Sequence, residues 1–230
     1  MKNEAHMPNN ERRKLRFPVG GSMGKLYLRD AENPREWNEY ADARGEVSLP
    51  SDTEVRLCVS YKAVSDLSPL SALQADDVQV LEITSTSKFD DAQLKHIEGL
   101  GGLFGLALWE TDTGDAAFRR LGHLSNLRWL DIGDTLITDE GLAFVRGLTR
   151  LKELTLLNTQ IGNGGLLHLE SLRSLKHLDL MGTKVNDAGF DGLSRLRGLQ
   201  YMRLLDTDIS YPTYARLKRA LPDCRINYQG

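Results

Sequence analysis

The stretch LSNLRWLDIGDTLITDEGLAFVRG, residues 124–147, returns along the chain at a shift of 24 positions. The next copies are LTRLKELTLLNTQIGNGGLLHLES, residues 148–171, and LRSLKHLDLMGTKVNDAGFDGLSR, residues 172–195. A further copy begins at Leu196, and another precedes the first at Leu100. Self-similarity at this period is typical of a stacked solenoid, in which each repeat, here called a rung, packs on its neighbours.

Each rung contains a short strand whose apolar side chains point into the core. Leu130 and Ile132 are two residues apart, which places both side chains on one face of a strand. The equivalent pairs are Leu81 and Ile83, Leu106 and Leu108, Leu154 and Leu156, Leu178 and Leu180, and Met202 and Leu204. Stacked rungs therefore predict one parallel sheet, in which each crossover supplies a bend and a return.

The second half of each rung has the pattern of a bend followed by a short helix. One threonine per rung marks the bend, and its hydroxyl is expected to satisfy backbone groups left unpaired there. These threonines are Thr86, Thr111, Thr135, Thr159, Thr183 and Thr207. Thr138 is then a favoured helix N-cap, and Leu142 and Val145 form one side of the helix. Gly141 inside that segment indicates close packing between neighbouring rungs.

This pattern resembles bacterial leucine-rich repeat proteins with 24-residue LxxLxxLxLxxTxITDxGL repeats, which are numerous in planctomycete-like bacteria. The segment LDIGDTLITDEGL, residues 130–142, matches best, and ALPDCRI, residues 220–226, resembles the terminal segment of such proteins. The resemblance covers about residues 64–230. It implies an α/β fold: a right-handed leucine-rich repeat solenoid with a parallel concave sheet, short convex helices, an N-terminal strand cap and a C-terminal helical cap. It also implies a binding role and carries no catalytic residue.

The chain divides into four segments around these repeats. Residues 1–22 are expected to be a flexible N-terminal arm. Residues 23–74 alternate like strands and predict a β-rich cap with an incomplete first rung, interrupted by a loop or one helical turn at 33–40. Residues 75–210 are the leucine-rich repeats, and residues 211–230 form a C-terminal cap.

Composition limits the classes of function. The formal net charge of -3 gives no electrostatic reason to expect nucleic acid binding. No apolar run approaches the ~18 residues of a membrane span, so no membrane interaction is expected. Cys58 and Cys224 lie far apart and are expected to be free thiols, which makes a cytoplasmic location the default.

The concave face carries the candidate binding site, because solenoid curvature presents a continuous surface there. Apolar and aromatic side chains stand where a solvated surface would place small or charged ones, which is typical of a protein-binding hot spot. The predicted partner-binding residues are Trp109, Trp129, Asp131, Leu157, His177, Asp179, Met181, Tyr201, Arg203 and Leu205. The alternative is that the apolar side chains pack against each other along the sheet or under the N-terminal arm.

The sequence thus predicts a non-enzymatic protein-interaction module without cofactor, metal or catalytic residues; its oligomeric state stays open. An acidic line of Glu82, Asp131 and Asp179 is expected to attract a basic segment of the partner, or to keep the face soluble. One alternative is an enzyme, or an accessory subunit whose active site another protein completes. Carbohydrate binding through Trp109 and Trp129 is the other.

Overall fold

The computed structural model describes residues 12–29, 36–84 and 89–229. The strands are β1 Arg12–Arg16, β2 Gly24–Arg29, β3 Asn38–Asp42, β4 Glu46–Pro50, β5 Glu54–Val59, β6 Val80–Glu82, β7 Gly105–Ala107, β8 Trp129–Asp131, β9 Glu153–Thr155, β10 His177–Asp179, β11 Tyr201–Arg203 and β12 Arg225–Asn227. The α-helices are α1 Asp115–Phe118, α2 Asp139–Leu142, α3 Asn163–Leu166, α4 Phe190–Ser194 and α5 Tyr211–Ala220. The 3₁₀-helical segments are Ser68–Ala72, Asp91–Ile97, Arg119–Leu121, Ala143–Gly147, Leu169–Ser171 and Asp187–Gly189.

A ten-stranded sheet runs the length of the molecule in the order β12-β11-β10-β9-β8-β7-β6-β5-β2-β3. All neighbouring strands from β5 to β12 are parallel. In the regular rungs the register joins residues 24 positions apart, as in Trp129 opposite Glu153 and Glu153 opposite His177. The parallel sheet and its register are those that the repeat predicts.

The core is a set of leucine rows stacked along the solenoid. Leu130, at the centre of β8, is fully buried and lies opposite Leu106 on one side and Leu154 on the other. The three-residue strands expose one side chain on each side of this central leucine, which explains their alternating burial. Short helices close each rung on the side away from the sheet, where Leu142 and Val145 are also fully buried.

The N-terminal cap begins earlier than the sequence predicts. β1 pairs antiparallel with β4, from Arg12 opposite Pro50 to Arg16 opposite Glu46. Leu15 is buried in the core, and the Lys14 ammonium lies 2.7 Å from a Glu46 carboxylate oxygen. The prediction of a flexible arm over residues 1–22 is therefore wrong from Arg12 onwards; residues 1–11 lie outside the described part of the chain.

A second strand of the cap replaces a predicted loop. β3 pairs antiparallel with β2, with Leu26 opposite Ala41 and Leu28 opposite Asn38, and forms one edge of the large sheet. The prediction of a loop or single helical turn at 33–40 is wrong for Asn38 onwards. Its side chains are mostly exposed, so this strand lacks the alternation of apolar residues that reveals a half-buried strand in a sequence.

The five rungs whose bends the structure describes each turn at one residue with left-handed backbone geometry. The φ angles are 55° at Glu110, 50° at Asp134, 52° at Asn158, 66° at Gly182 and 52° at Asp206. The threonine that follows donates its hydroxyl hydrogen to the carbonyl three residues earlier in the same rung, as from Thr135 to Ile132 at 2.7 Å. The same bond forms in the other described rungs, with Thr111, Thr159, Thr183 and Thr207 as donors. Thr86 lies outside the described residues.

A row of acidic and amide side chains connects the helix starts of successive rungs. Asp115 accepts hydrogen bonds from the backbone N–H of Thr138 at 2.8 Å and from the Thr138 hydroxyl at 2.7 Å. This row, here called the capping row, comprises Asp91, Asp115, Asp139, Asn163 and Asp187, each bonded to the N-cap residue of the next rung. A Cβ atom at Gly141 would lie 2.7 Å from Asp115 Cγ, which is the close packing that the glycines predict.

The C-terminal end consists of α5 and β12. Pro212 occupies the first turn of α5, where its missing N–H leaves no hydrogen bond unmade. Leu217 of this helix is fully buried, and Tyr214 stacks on Tyr228 with ring centroids 4.5 Å apart. β12 adds the last parallel strand to the sheet, with Ile226 opposite Met202.

Candidate functional site

The concave face is built from two columns of side chains that alternate with the buried leucines. The first column is Val80, Gly105, Trp129, Glu153, His177 and Tyr201, and the second is Glu82, Ala107, Asp131, Thr155, Asp179 and Arg203. The columns extend beyond the predicted rungs, because β5 adds Arg56 and Cys58 at one end and β12 adds Arg225 and Asn227 at the other.

The two predicted tryptophans lie against glycines of neighbouring rungs. A Cβ atom at Gly105 would approach Trp129 Cε3 to 2.9 Å, and one at Gly133 would approach Trp109 Cδ1 to 3.1 Å. The indole N–H of Trp109 donates to a carboxylate oxygen of Asp134 at 3.0 Å. Both indoles are therefore partly buried by contacts along the sheet, and glycine in the adjacent rung makes room for each ring.

The apolar side chains at the ends of the strands are also partly buried. This holds for Leu157, Met181, Leu205 and, in the first column, Tyr201. The large apolar side chains that are exposed in the described part of the chain lie elsewhere: Val19, Tyr40, Tyr61, Leu136, Leu167 and Tyr211. The apolar side chains of the concave face are thus half-buried rather than fully exposed, and their use as a binding site stays a prediction.

Basic side chains neutralise two members of the predicted acidic line. The Arg56 guanidinium lies 2.7 Å from a Glu82 carboxylate oxygen, and the Arg203 guanidinium lies 2.8 Å from Asp179. Asp179 also accepts the backbone N–H of Met181 at 3.0 Å. The sequence alone does not predict these ion pairs, because the carboxylate opposite each arginine is known only once the register of the sheet is known.

Asp131 differs from the other carboxylates of the line. It accepts the backbone N–H of Gly133 at 3.1 Å, and no cation of the described residues forms an ion pair with it. Burial raises the pKa of this carboxyl, and the negative charges of Asp179, Asp134 and Glu82 raise it further. Asp131 is therefore a half-buried acid in the middle of the face to which a cation from outside can contribute a counter-charge.

His177 contacts neighbouring side chains of its column, whereas Cys58 does not have the surroundings of a reactive thiol. The His177 ring lies 3.7 Å from a Glu153 carboxylate oxygen and edge-on to Tyr201 with centroids 6.3 Å apart. Burial and the nearby Glu82 carboxylate raise the pKa of Cys58 to about 12, which disfavours its thiolate. Among the described residues, no group of three or more His, Cys, Asp or Glu side chains is arranged to hold a metal ion.

Two depressions of about 380 Å³ each lie on the concave face. The first is lined by Glu153, Thr155, His177, Asp179 and Tyr201 together with two core leucines. The second lies at the junction with the cap and is lined by Arg29, Trp37, Arg56, Glu82, Phe104 and Trp129, among others. In the second, the Arg29 guanidinium stacks 4.6 Å from the Trp37 ring and 5.3 Å from the Phe104 ring. Sequence reasoning missed the cap residues of this depression, although the alternation in residues 54–60 marks the strand that carries Arg56.

Bacterial leucine-rich repeat proteins are among the solved structures that resemble this chain. The chain is similar to the internalin InlF of Listeria monocytogenes (TM-score 0.54, 20% identity, 72% of this chain and 51% of that one). It is also similar to internalin C2 of Listeria monocytogenes (TM-score 0.52, 24% identity, 71% and 66%) and to a leucine-rich repeat protein of Leptospira interrogans (0.48, 18%, 66% and 37%). The chain thus spans less than two thirds of the length of each of these structures.

A scan against protein-family models and a search of curated protein sequences give no match. The structural likeness nevertheless establishes the fold, since the sheet order and the two internalins agree. The protein is an α/β leucine-rich repeat solenoid with a parallel concave sheet and short convex helices, as the sequence predicts. No helix in the described residues has the length and apolar character needed to span a membrane.

Proposed function

We propose that the protein is a non-enzymatic interaction module that binds a partner protein on its concave face. The observation that carries this proposal is the half-buried Asp131 carboxylate, which has no ion-pair partner among the described residues and lies on the same strand as Trp129, on a face with two depressions of about 380 Å³. Half-buried aromatic side chains at the centre of a surface supply large contact area at little cost in conformational entropy. A leucine-rich repeat fold generally supports protein binding on such a surface.

The partner presents a basic segment to this face. Its cation lies near Asp131, because Glu82 and Asp179 already have arginine partners from this chain. Trp109, Trp129, Leu157, Met181 and Tyr201 then contribute apolar contact around that ion pair. Opposite charges across an interface mainly raise the rate of association, whereas the desolvated aromatic contacts slow dissociation.

The experiment is affinity capture with the folded protein, followed by binding kinetics on the captured partner. Trp129→Ala/Leu157→Ala is expected to weaken binding about thirtyfold or more, since truncating a central hot-spot residue costs ~2 kcal/mol or more. Asp131→Lys is expected to slow association and to reduce its dependence on salt. The matched control is Arg146→Glu on the convex side, where the side chain is exposed and binding should stay within about twofold.

Two results contradict the concave assignment. The first is equal recovery of the partner by wild type and by a folded Trp129→Ala/Leu157→Ala variant. The second is loss of the partner on Arg146→Glu alone. A captured glycan that competes for the face, or a gain of enzymatic activity only in the complex, assigns the surface to one of the two alternative functions instead.

The proposal also includes the type of repeat and the cellular location of the protein. The 24-residue bacterial repeat type is supported by the 24-residue steps from Trp129 to Glu153, His177 and Tyr201; the planctomycete-like origin stays a prediction. A reducing, cytoplasmic location is supported by the two free thiols, Cys58 on β5 and Cys224 directly before β12, which lie on well-separated strands of the sheet. Diamide treatment of intact source cells followed by thiol labelling tests that location.

A further inference from the structure

One lateral side of the solenoid carries basic residues without acidic ones. It is formed by the four segments that lead into β8 to β11, residues 125–128, 149–152, 173–176 and 197–200. These segments contain six cations and no carboxylate. The six, here called the basic edge, are Arg128, Arg150, Lys152, Arg173, Lys176 and Arg197. All are exposed except Lys176, which is half-buried.

The backbone holds this edge in a fixed register. The N–H of Lys152 donates to the carbonyl of Arg128 at 2.8 Å, and the N–H of Lys176 donates to the carbonyl of Lys152 at 2.8 Å. Gln200 continues the row with a 2.8 Å bond to the carbonyl of Lys176. The three cations of this row are therefore stacked at the spacing of neighbouring strands, ~4.8 Å.

The basic edge has no counter-charge within the described part of the chain. Arg150 donates to the Asn126 side-chain oxygen at 2.6 Å, and Lys176 donates to the carbonyl of Gly198 at 3.1 Å, so both contacts are with neutral groups. No described carboxylate forms an ion pair with any of the six. Like charges at neighbouring positions of a sheet are destabilising. An external anion would remove this repulsion.

The edge is short and ends in acidic residues. Two rungs before it, beyond the uncharged segment 101–104, Asp76 and Asp77 stand at the positions equivalent to its loop residues, and the segment after it places Asp223 there. Three strand steps separate β8 from β11, which is ~14 Å. An extended peptide covers that distance with about four or five residues at ~3.3 Å each. A long polyanion would have to pass over the flanking carboxylates.

A depression of about 400 Å³ adjoins the same edge. Arg173 and Arg197 line it together with Leu172, Leu175 and Leu196. Arg195 and Glu170, which form an ion pair at 2.6 Å, also line the depression, so the Glu170 carboxylate already has a cationic partner. An arginine guanidinium matches a carboxylate with two parallel hydrogen bonds, and the leucines beneath suit the methylene groups of the same side chain.

We propose that the basic edge is a second binding surface, which takes a short acidic segment of a partner protein in extended conformation. The segment lies across the rungs from Arg128 to Arg197 and places one acidic side chain in the depression beside Arg173. This surface is separate from the concave face and goes beyond the function proposed for it.

The test uses a fluorescein-labelled hexaglutamate peptide and fluorescence anisotropy at 50 mM NaCl. Wild type is expected to bind, with an affinity that falls as salt rises. Arg150→Glu/Arg173→Glu should weaken binding by about tenfold or more. The control, Arg119→Glu/Lys184→Glu, reverses two exposed cations away from the edge and should stay within about twofold. Both double variants change the net charge equally, so a difference between them reports the position of the charges.

Several outcomes overturn the proposal. These are absence of peptide binding to wild type at low salt, equal weakening by the two double variants, and tighter binding of a six-nucleotide oligothymidylate that depends on the same arginines. Self-association of wild type that Arg150→Glu/Arg173→Glu abolishes would assign the edge to a second copy of this chain instead. If the charge reversal unfolds the protein, Arg150→Gln/Arg173→Gln removes the charges without reversing them and should still weaken peptide binding.

Discussion

The capping row makes a sharp prediction, because one carboxylate joins two rungs. In Asp115→Ala, the N–H and hydroxyl of Thr138 both lose the acceptor that they contact at 2.8 and 2.7 Å. A hydrogen bond to a charged group contributes about 1.5–3 kcal/mol when it is buried. Asp115 and Thr138 are half-buried, so water replaces part of each bond, and about 1–1.5 kcal/mol remains for each. The free energy of unfolding should therefore fall by about 2–3 kcal/mol.

Urea denaturation followed by circular dichroism measures this change. Asp115→Asn should lose less than the alanine variant, since Asn163 holds the equivalent position and accepts the N–H of Asn186 at 3.1 Å. The matched control is Asp112→Ala, which removes an exposed carboxylate from the same turn and should change stability by less than about 0.5 kcal/mol. If Asp115→Ala and Asp112→Ala are equally stable, the capping row does not hold the rungs together.

Three other changes probe the core, the bend and the concave face by the same denaturation assay. Leu154→Ala removes a side chain that is 1% exposed and should cost about 2–5 kcal/mol, whereas a loss under about 1 kcal/mol would mean that the inward register is wrong. Glu110→Gly relieves the backbone strain of a φ of 55° and should raise the free energy of unfolding by about 0.5–1 kcal/mol, since Gly182 holds the equivalent position of another rung. A destabilised variant would show that contacts of the Glu110 side chain outweigh this strain. Asp131→Asn should stabilise the protein at pH 7, because the raised folded-state pKa of Asp131 penalises folding above the ordinary aspartate pKa. That gain should vanish as pH falls below the unfolded-state pKa of ~3.9, and a gain independent of pH would exclude titration of Asp131 as its cause.

The regular part of the fold follows from the sequence because its signals reinforce each other. The two-residue step of Leu130 and Ile132 repeats at a constant period from β7 onwards, so one correct register predicts every strand pair from β7 to β11. The cap offers no such repetition. β1 pairs antiparallel with β4 and β3 with β2, so the repeat period predicts neither pair. β3 is also mostly exposed, so no alternation of apolar residues identifies it.

The contacts of the site depend on neighbours that only the register supplies. Trp129 is apolar and large, which predicts a binding anchor, but Gly105 in the adjacent rung lets its ring settle partly into the sheet. Glu82 belongs to an acidic line in sequence, yet β5 brings Arg56 within 2.7 Å of it. The capping row was missed for the same reason: Asp115 has the pattern of an acid in a first helical turn, while its partner is 23 residues away.

The bonds between rungs set a rule for how the chain tolerates changes in length. The capping row, the strand ladder and the carbonyl row at Arg128 and Lys152 each connect residues of neighbouring rungs at a fixed offset. Removing or duplicating a whole 24-residue unit in the regular region restores every one of these bonds with a new neighbour. Removing a few residues breaks all three rows at once. The length of the repeat region therefore changes in whole rungs, and natural or engineered relatives should differ by multiples of 24 residues. Each added or removed rung changes the distance between the two ends of the solenoid by one strand spacing, ~4.8 Å.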